Sequence, residues 1–350
     1  MNHLEAQLDQ IISEQPHFSG VVLAYAQGQR VLVREVGMAN RSEQIPNTIT
    51  TRFGTASGTK TFTAVAIGQL VAQGRLRYDQ PLRTCVDHDL PQIDQRVTIH
   101  QLLCHTSGIA DYFDEATMTD YAALWNTIPM YRIRRSADFL PLIQQRPMMF
   151  APGERFHYNN AGFVLLGLVI ETITGQSLPE YIEQAIFQPA GMHDSGYFAS
   201  DKLPARTALG YIDDEHGWHT NVFSIPIIGG GDGGAYVTAP DIIAFWQALR
   251  TAQILPAEHV ATMLHKHAEE DSEYGYGYGI WITPNRNGFH YRMIGGDPGV
   301  SFTAAFDPEQ DRQIVVIGNV SSGASAICRQ FEMNWHRSTA REHSSISQGG

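Results

Sequence analysis

A chain of 350 residues, 43% hydrophobic and 17% charged, carries enough apolar side chains for a large core, as one large domain or two ordinary ones. Its formal net charge of −12 disfavours nucleic acid or an anionic membrane as partner, because both select basic patches. The longest apolar run, AGFVLLGLVI at 161–170, is about half of the ~20 residues a membrane span needs and reads as a buried helix.

Leu4, Leu8, Ile11 and Ile12 recur at helical spacing with acids between them, so the chain opens on an amphipathic helix. With no basic n-region and no continuous apolar h-region, this is not a signal peptide. A cytoplasmic protein is the expectation, or a secreted or periplasmic one had a leader been removed. Three scattered cysteines, Cys85, Cys104 and Cys328, imply no disulfide framework. Two β-rich runs, Val21–Ala26 and Arg30–Val36, flank a turn at Gly28 as in a hairpin. The spacing of Phe62, Ala66 and Leu70 predicts a helix over 59–75 with its stop at Gly74.

From 81 to 220 the patterns are mostly helical and loop-like, with a long helix over 161–174. Helical periodicity returns over 240–252, with Thr238 and Asp241 as cap residues. Strands are expected over 276–282, 288–296, 301–307 and 313–320, then a helix over 321–337 and a loose polar tail over 339–350. Strands thus come from both chain ends and helices from the middle. This predicts a single α+β domain over 1–338, an antiparallel sheet flanked by helices. Its α/β part would comprise about 1–80 and 221–338, and its mainly helical part about 81–220.

Ser57 and Lys60 stand three residues apart where a glycine-rich stretch turns into the helix over 59–75, so they share one helix face. A lysine on a buried helix must be paired or lose its proton, and a neutral amine beside a hydroxyl is a base beside a nucleophile. The spacing alone equally fits an exposed lysine and a capping serine. Further on, Tyr158 and Asn160 form a Y-x-N after the tight turn in APGERF and before the buried helix. A phenol held near a lysine can shuttle a proton, and a carboxamide can both donate and accept. Near the end, IGGDPGVSF at 294–302 places glycines at a strand terminus, where backbone can approach a substrate closely.

S-x-x-K, then Y-x-N, then a glycine-rich strand is the motif order of the serine β-lactamase and penicillin-binding-protein superfamily. The chain resembles its class C-like branch, which includes esterases and D-alanyl peptidases. The likeness runs from about residue 15 to 335 and includes TIHQLLCHTSGI (98–109), FHYNNAGFVLLGLVIETITG (156–175) and GGGDGGAYVTAPDIIAF (229–245). It implies a β-lactamase-like fold in which Ser57 is the acyl-accepting nucleophile. Lys60 and Tyr158 would share the proton transfers, either being the base. The N–H groups of Ser57 and Gly296 would hold the oxyanion, a donor of this kind contributing about 3 kcal/mol. Asn160 would orient the substrate, with Gly295 beside it on the strand.

The third motif departs from the pattern. The family usually places Lys or His two residues before its strand glycine, and here that substrate-binding position is Met293. Alternation puts Tyr291 on its face and His290 and Arg292 on the other. Unless a bulge turned Arg292 inward or the helical region supplied a cation, the group that would contact a substrate carboxylate is missing. Such a contact contributes about 1.5–3 kcal/mol. The expectation is therefore a cofactor-free hydrolase of small esters or amides. β-Lactamase or D-alanyl-D-alanine carboxypeptidase activity is one alternative, and an inactive binding member of the superfamily is the other. Retained Ser57, Lys60, Tyr158 and Asn160 speak against inactivity, because buried polar groups are costly.

Of the remaining candidates, His105 and Ser107 in HTSG read as turn residues rather than a catalytic pair. The histidines of HGWH (216–219), HKH (265–267) and DHD (87–89) lack zinc-site spacing, so no metal is expected. No G-x-S-x-G elbow is present. Tyr276 or Tyr278 is expected near the cleft, with loops over 111–135 and 211–228 as its walls. The partner is a small molecule (ester, amide or β-lactam), and no pattern sets an oligomeric state.

Overall fold

The computed structural model describes residues 2–284 and 290–346. Among these residues the main sheet has eight strands: β1 (Gly20–Ala26), β2 (Gln29–Val36), β3 (Ala268–Glu269), β4 (Gly275–Tyr276), β5 (Trp281–Ile282), β6 (Tyr291–Asp297), β7 (Val300–Asp307) and β8 (Arg312–Gly318). They lie in the order β2-β1-β8-β7-β6-β5-β4-β3, every neighbour antiparallel, so the first hairpin closes onto the last strand. The longest helices are α1 (Asn2–Ser13), α2 (Lys60–Ala72), α3 (Asn160–Thr174), α4 (Ala239–Arg250) and α5 (Ala324–Ile346). This is the β-lactamase-like α+β fold that the motifs implied.

The central strands have no polar face. In β1, Val21 and Leu23 enter the main core while Val22 and Ala24 enter a second cluster. Because side chains alternate, a continuous apolar strand needs cover on both sides. On one side α1 contributes Leu8 and Ile11, and α5 contributes Ile327, Phe331 and Trp335. On the other lie α2, α3 and α4. The β1–β2 turn has positive φ at Gln27 (51°) and Gly28 (74°), the twist that suits a two-residue hairpin.

α2 is buried from Lys60 through Gly68, and Phe62 meets Phe187 and Phe245 edge-on at 5.0 and 4.9 Å. A helix apolar on all sides belongs in the middle of a domain. The N-terminus of α3 is capped by Asn159, whose Oδ1 accepts from Gly162 N–H at 2.7 Å, and Gly175 (φ 73°) ends it. Among the described residues no single helix is long and apolar enough to cross a membrane.

Several elements differ from expectation. The stretch 276–282 is not one strand: β4 and β5 pair as a hairpin, with Gly279 (φ 64°) in the connection. β6 starts at Tyr291 and runs to Asp297, and positions 288 and 289 lie outside the described residues. α5 continues to Ile346, so 339–346, expected as loose tail, is helical, and 347–350 lie outside the described residues. Thr238 caps α4 through Asp241 N–H, but the Asp241 carboxylate instead accepts from Ser195 Oγ and Asp194 N–H.

No bulge turns Arg292 toward the site, because β6 pairs with β7 in unbroken register from Tyr291–Phe306 to Asp297–Val300. Its guanidinium instead makes two bonds, 2.5 and 2.6 Å, to Glu332 of α5, both groups being buried. Removing one partner of a buried pair strands the other charge. Glu332→Ala is therefore expected to cost about 3–5 kcal/mol in urea unfolding, while the apolar double replacement Arg292→Met with Glu332→Leu comes within about 1–2 kcal/mol of wild type. Equal losses for single and double variants would contradict this account.

Candidate active site

The short strand Phe53–Gly54 pairs with Tyr236–Val237 and brings the Ser57 turn beside the glycine loop at 229–234. Thr55 N–H donates to Ala235 O, Ala235 N–H donates to Thr59 Oγ1, and the hydroxyls of Thr55 and Thr59 lie 2.9 Å apart. Ala56, just before Ser57, has a φ of 45°. A left-handed non-glycine residue costs of order 1–2 kcal/mol and persists only where its surroundings over-determine it. The turn Ala56–Thr59 then passes directly into α2 at Lys60.

The Lys60 side chain is only 1% exposed, and its amine is held three ways. Nζ lies 2.9 Å from Ser57 Oγ, 2.7 Å from Asn160 Oδ1 and 2.8 Å from the Asp232 carbonyl. Burial lowers the Lys60 pKa, while the charges of Asp232, Glu115, Asp111 and Asp297 pull the other way. The Asn160 carboxamide can have only one orientation. Its Nδ2 donates to Asp111 Oδ2, Phe113 O and Glu115 Oε1, each at 3.2 Å, which leaves Oδ1 for Lys60. Asp111 also accepts from the N–H groups of Asn160 and Ala161 at the start of α3.

Tyr158 stacks on Trp281 (5.8 Å between ring centroids, 13° between planes), with His105 at 4.5 Å on a tilt and Lys60 Nζ 4.9 Å from its centroid. Burial first, then Glu115 and Tyr276, raises its phenol well above the ordinary range, against a hydrogen bond to Ser57. The environment thus moves Lys60 and Tyr158 in opposite directions, one toward losing its proton and the other toward keeping it. Burial also pushes Asp111 and Asp297 up to about 7.

β5 pairs with β6 only at Tyr291 and Arg292, so the outer edge of β6 beyond Met293 faces the site instead of a strand. At Gly295 the approach is close. A Cβ there would lie 2.1 Å from Thr55 O and 2.9 Å from Ser57 N, whereas at Gly296 it would meet nothing within 4 Å. Ser57 and Gly296 both line two cavities that meet at the serine. One, of about 440 Å³, is walled by aromatic rings including Tyr112, Tyr121 and Phe139; the other, of about 500 Å³, holds Tyr158, Trp281 and Ile294.

The fold thus brings together Ser57, Lys60, Tyr158, Asn160, Gly295 and Gly296, but not Met293. That side chain is 1% exposed, belongs to the main core and lines neither cavity; the cleft side chain from this strand is Ile294. Tyr276 packs against His105 and Trp281, and Tyr278 against His100 and His267, so neither reaches the cleft. Of the expected walls, 112–121 and 225–227 line the first cavity, while 211–220 form a separate small hairpin. His105 is buried and takes the Asn159 N–H on Nδ1, and Ser107 Oγ accepts from Ile109 N–H, as turn residues do. The acids Asp111, Glu115, Asp232 and Asp297 were not anticipated. A carboxylate in a loop or at the head of a Pro-Gly turn carries no spacing signal of its own.

A hydroxyl beside a buried amine, with a phenol at the same cleft, is one arrangement of a nucleophile and a proton acceptor. A model of the beta-lactamase family matches residues 8–330, and the chain belongs to that family. The structure is similar to that of a penicillin binding protein from Bacillus halodurans, with a TM-score of 0.89 and 49% identity, covering 93% of this chain and 99% of that one. In sequence it is 30% identical to penicillin-binding protein 4* of Bacillus subtilis (strain 168), over 85% of this chain and 67% of the relative. It is 32% identical to esterase EstB of Burkholderia gladioli, over 61% of this chain and 55% of the relative.

The contrast between the two glycines is testable. Gly295→Ala forces the Ser57 turn and β6 apart, so kcat/KM on any turned-over ester is expected to fall at least ~100-fold with a lower Tm. Gly296→Ala should keep the wild-type Tm; a lower Tm for it, or an active Gly295→Ala, would contradict the geometry.

Proposed function

We propose that the protein is a serine hydrolase that acts on small esters or amides through an acyl-Ser57 intermediate. The observation that carries this reading is the Lys60 amine, buried, depressed in pKa and 2.9 Å from Ser57 Oγ. Ser57 Oγ attacks the substrate carbonyl and its proton passes to Lys60 Nζ. The resulting oxyanion is held by the N–H groups of Ser57 and Gly296. As the tetrahedral species collapses, the leaving oxygen or nitrogen takes a proton from Tyr158, which Lys60 replenishes. Water then attacks the ester on Ser57 and the transfers run in reverse. The opposed environments support this division, with Lys60 as base and Tyr158 as proton carrier.

The lining supports a substrate without a free carboxylate. Among the described residues no Lys or Arg lines either cavity, and His157 in the second is paired with Asp114 at 3.2 Å. The name of the B. gladioli relative supports the ester reading. The penicillin-binding names of two relatives favour a second one, a β-lactam- or D-alanyl-peptide-directed enzyme.

Intact-mass spectrometry after a fluorophosphonate is expected to show one adduct on wild type and none on folded Ser57→Ala. Lys60→Ala should lose at least ~1,000-fold in turnover, and no adduct on folded wild type would sink the hydrolase reading. Acylation by benzylpenicillin faster than turnover of any simple ester would favour the second reading. A pH profile checks the proton roles. Lys60 must be neutral to act, so kcat/KM should rise with pH through a value below that of a free lysine. Tyr158 must keep its proton, so any alkaline fall should come above that of a free tyrosine. A profile that falls across the Lys60 limb would reverse the assignment.

A further inference from the structure

The stretch HTSGI at 105–109 and the stretch 149–159, which carries Tyr158, fold as one unit. The second segment donates repeatedly to the first. Met149 N–H reaches Gly108 O, Gly153 N–H reaches Thr106 O and His157 N–H reaches His105 O, at 2.8, 2.8 and 2.9 Å. Asn159 adds its N–H to His105 Nδ1 at 3.1 Å and its Nδ2 to Ile109 O at 2.8 Å. His105 thus holds the residue on each side of Tyr158, one through its carbonyl and the other through its ring.

His105 follows the short helix Ile99–Leu103 and has a φ of 59°. A left-handed non-glycine residue persists where its surroundings over-determine it, most often at functional sites. The residue is 1% exposed. Because Nδ1 accepts a hydrogen bond, the ring proton sits on Nε2, and among the described residues Nε2 has no hydrogen-bond partner. The ring lies in a box formed by Tyr158, Tyr276, Phe163 and Phe156, with centroids at 4.5, 4.6, 5.2 and 5.7 Å. Ring faces are weak acceptors for such an N–H. Burial, reinforced by the charges of Lys60 and His157, lowers the His105 pKa well below the usual range and keeps the ring neutral. His105 lines neither cavity, so whatever it does for catalysis it does through its neighbours.

Resting on the hydrolase reading, we propose that His105 is the positioning residue for Tyr158, its ring packing the phenol into the place from which a proton reaches the leaving group. Trp281 supplies the second ring contact, stacked at 13°. Support by ring contact leaves the phenol oxygen to its hydrogen bond with Ser57.

The test separates a defect in proton delivery from a general one. Ethyl butanoate releases an alkoxide that must be protonated, whereas 4-nitrophenyl butanoate releases a phenolate that leaves without a proton, and kcat/KM for both reports acylation. In His105→Asn the Oδ1 can take the Asn159 N–H, and asparagine tolerates a left-handed φ, so the ring alone is lost. Its kcat/KM on ethyl butanoate is expected to fall at least about thirtyfold, while that on 4-nitrophenyl butanoate stays within about threefold of wild type. His105→Gln, which also removes the ring, repeats the comparison and should give the same split. So should Tyr158→Phe, and adding His105→Asn to it should change the ethyl ester less than about threefold. An equal fall on both esters, no fall on either, or a full further loss in the double variant overturns the proposal and leaves the hydrolase reading standing. A crystal structure of His105→Asn gives the answer without turnover: the phenol is expected to leave its stack on Trp281, and a phenol unmoved from its wild-type place overturns the proposal. Failure of the fluorophosphonate to label Ser57 at all removes the hydrolase reading and this inference with it.

Discussion

The nitrogen of Lys60 is the junction on which the site depends. Its three bonds reach the Ser57 turn, the first residue of α3 and the carbonyl of Asp232, segments far apart in the chain. A charged amine in this place would carry a large desolvation cost, which burial expresses as a preference for the neutral form. The acceptors are themselves pinned. Asn160 is held by Asp111, Asp232 by Tyr112, and the Ser57 turn by Thr55 and Thr59. Displacing any of them changes what the amine can reach, so the polar set is cooperative in the sense that only double-mutant cycles could apportion.

Reaching that junction requires backbone to come close where side chains would intrude. β6 lies against the Ser57 turn at Gly295, and the glycine loop lies against α3 at Gly231, where a Cβ would fall 2.2 Å from Phe163 O. The second contact puts the Asp232 carbonyl over α2 and α3 together, within reach of Lys60. Two close approaches of backbone thus bring the Ser57 turn, β6, α3 and the glycine loop together around one amine. The strain at Ala56 sits at the same point, held by the paired strands on either side.

What the sequence disclosed follows the range of each signal. Ser57 and Lys60 are three residues apart on one turn, and Tyr158 and Asn160 flank a helix cap, so local spacing already places them together. The sheet was legible from its apolar runs because both faces of β1, β7 and β8 are buried. The stretch EYGYGYGIW alternates like a strand, yet Gly279 lies against Lys60 O, where a Cβ would sit 2.6 Å away, and the chain turns back there. α5 outran its expected end because no glycine or proline interrupts 324–346, and polarity alone does not stop a helix. At β6 the position counted back from Gly295 is Met293, whereas two residues before Gly296 stands Ile294, and a shift of one residue along a strand moves a side chain to the other face. Met293 is consequently core, and the acids that surround Lys60 arrive from three separate segments: the loop at 111–115, the glycine loop and the end of β6.

Those acids link the charge of the cavity to the protonation of Lys60. Asp232, Glu115, Asp111 and Asp297 all raise the proton affinity of Lys60, and burial has to outweigh them for the amine to be neutral. A cation bound beside Asp297 would offset part of that negative field, and so lower the affinity of Lys60 for its proton once that cavity is filled. An anionic substrate would do the reverse, adding to the field that keeps Lys60 charged and meeting no cation of its own in the lining. The charge of the cavity beside Ser57 and the protonation of Lys60 are therefore two consequences of one electrostatic arrangement.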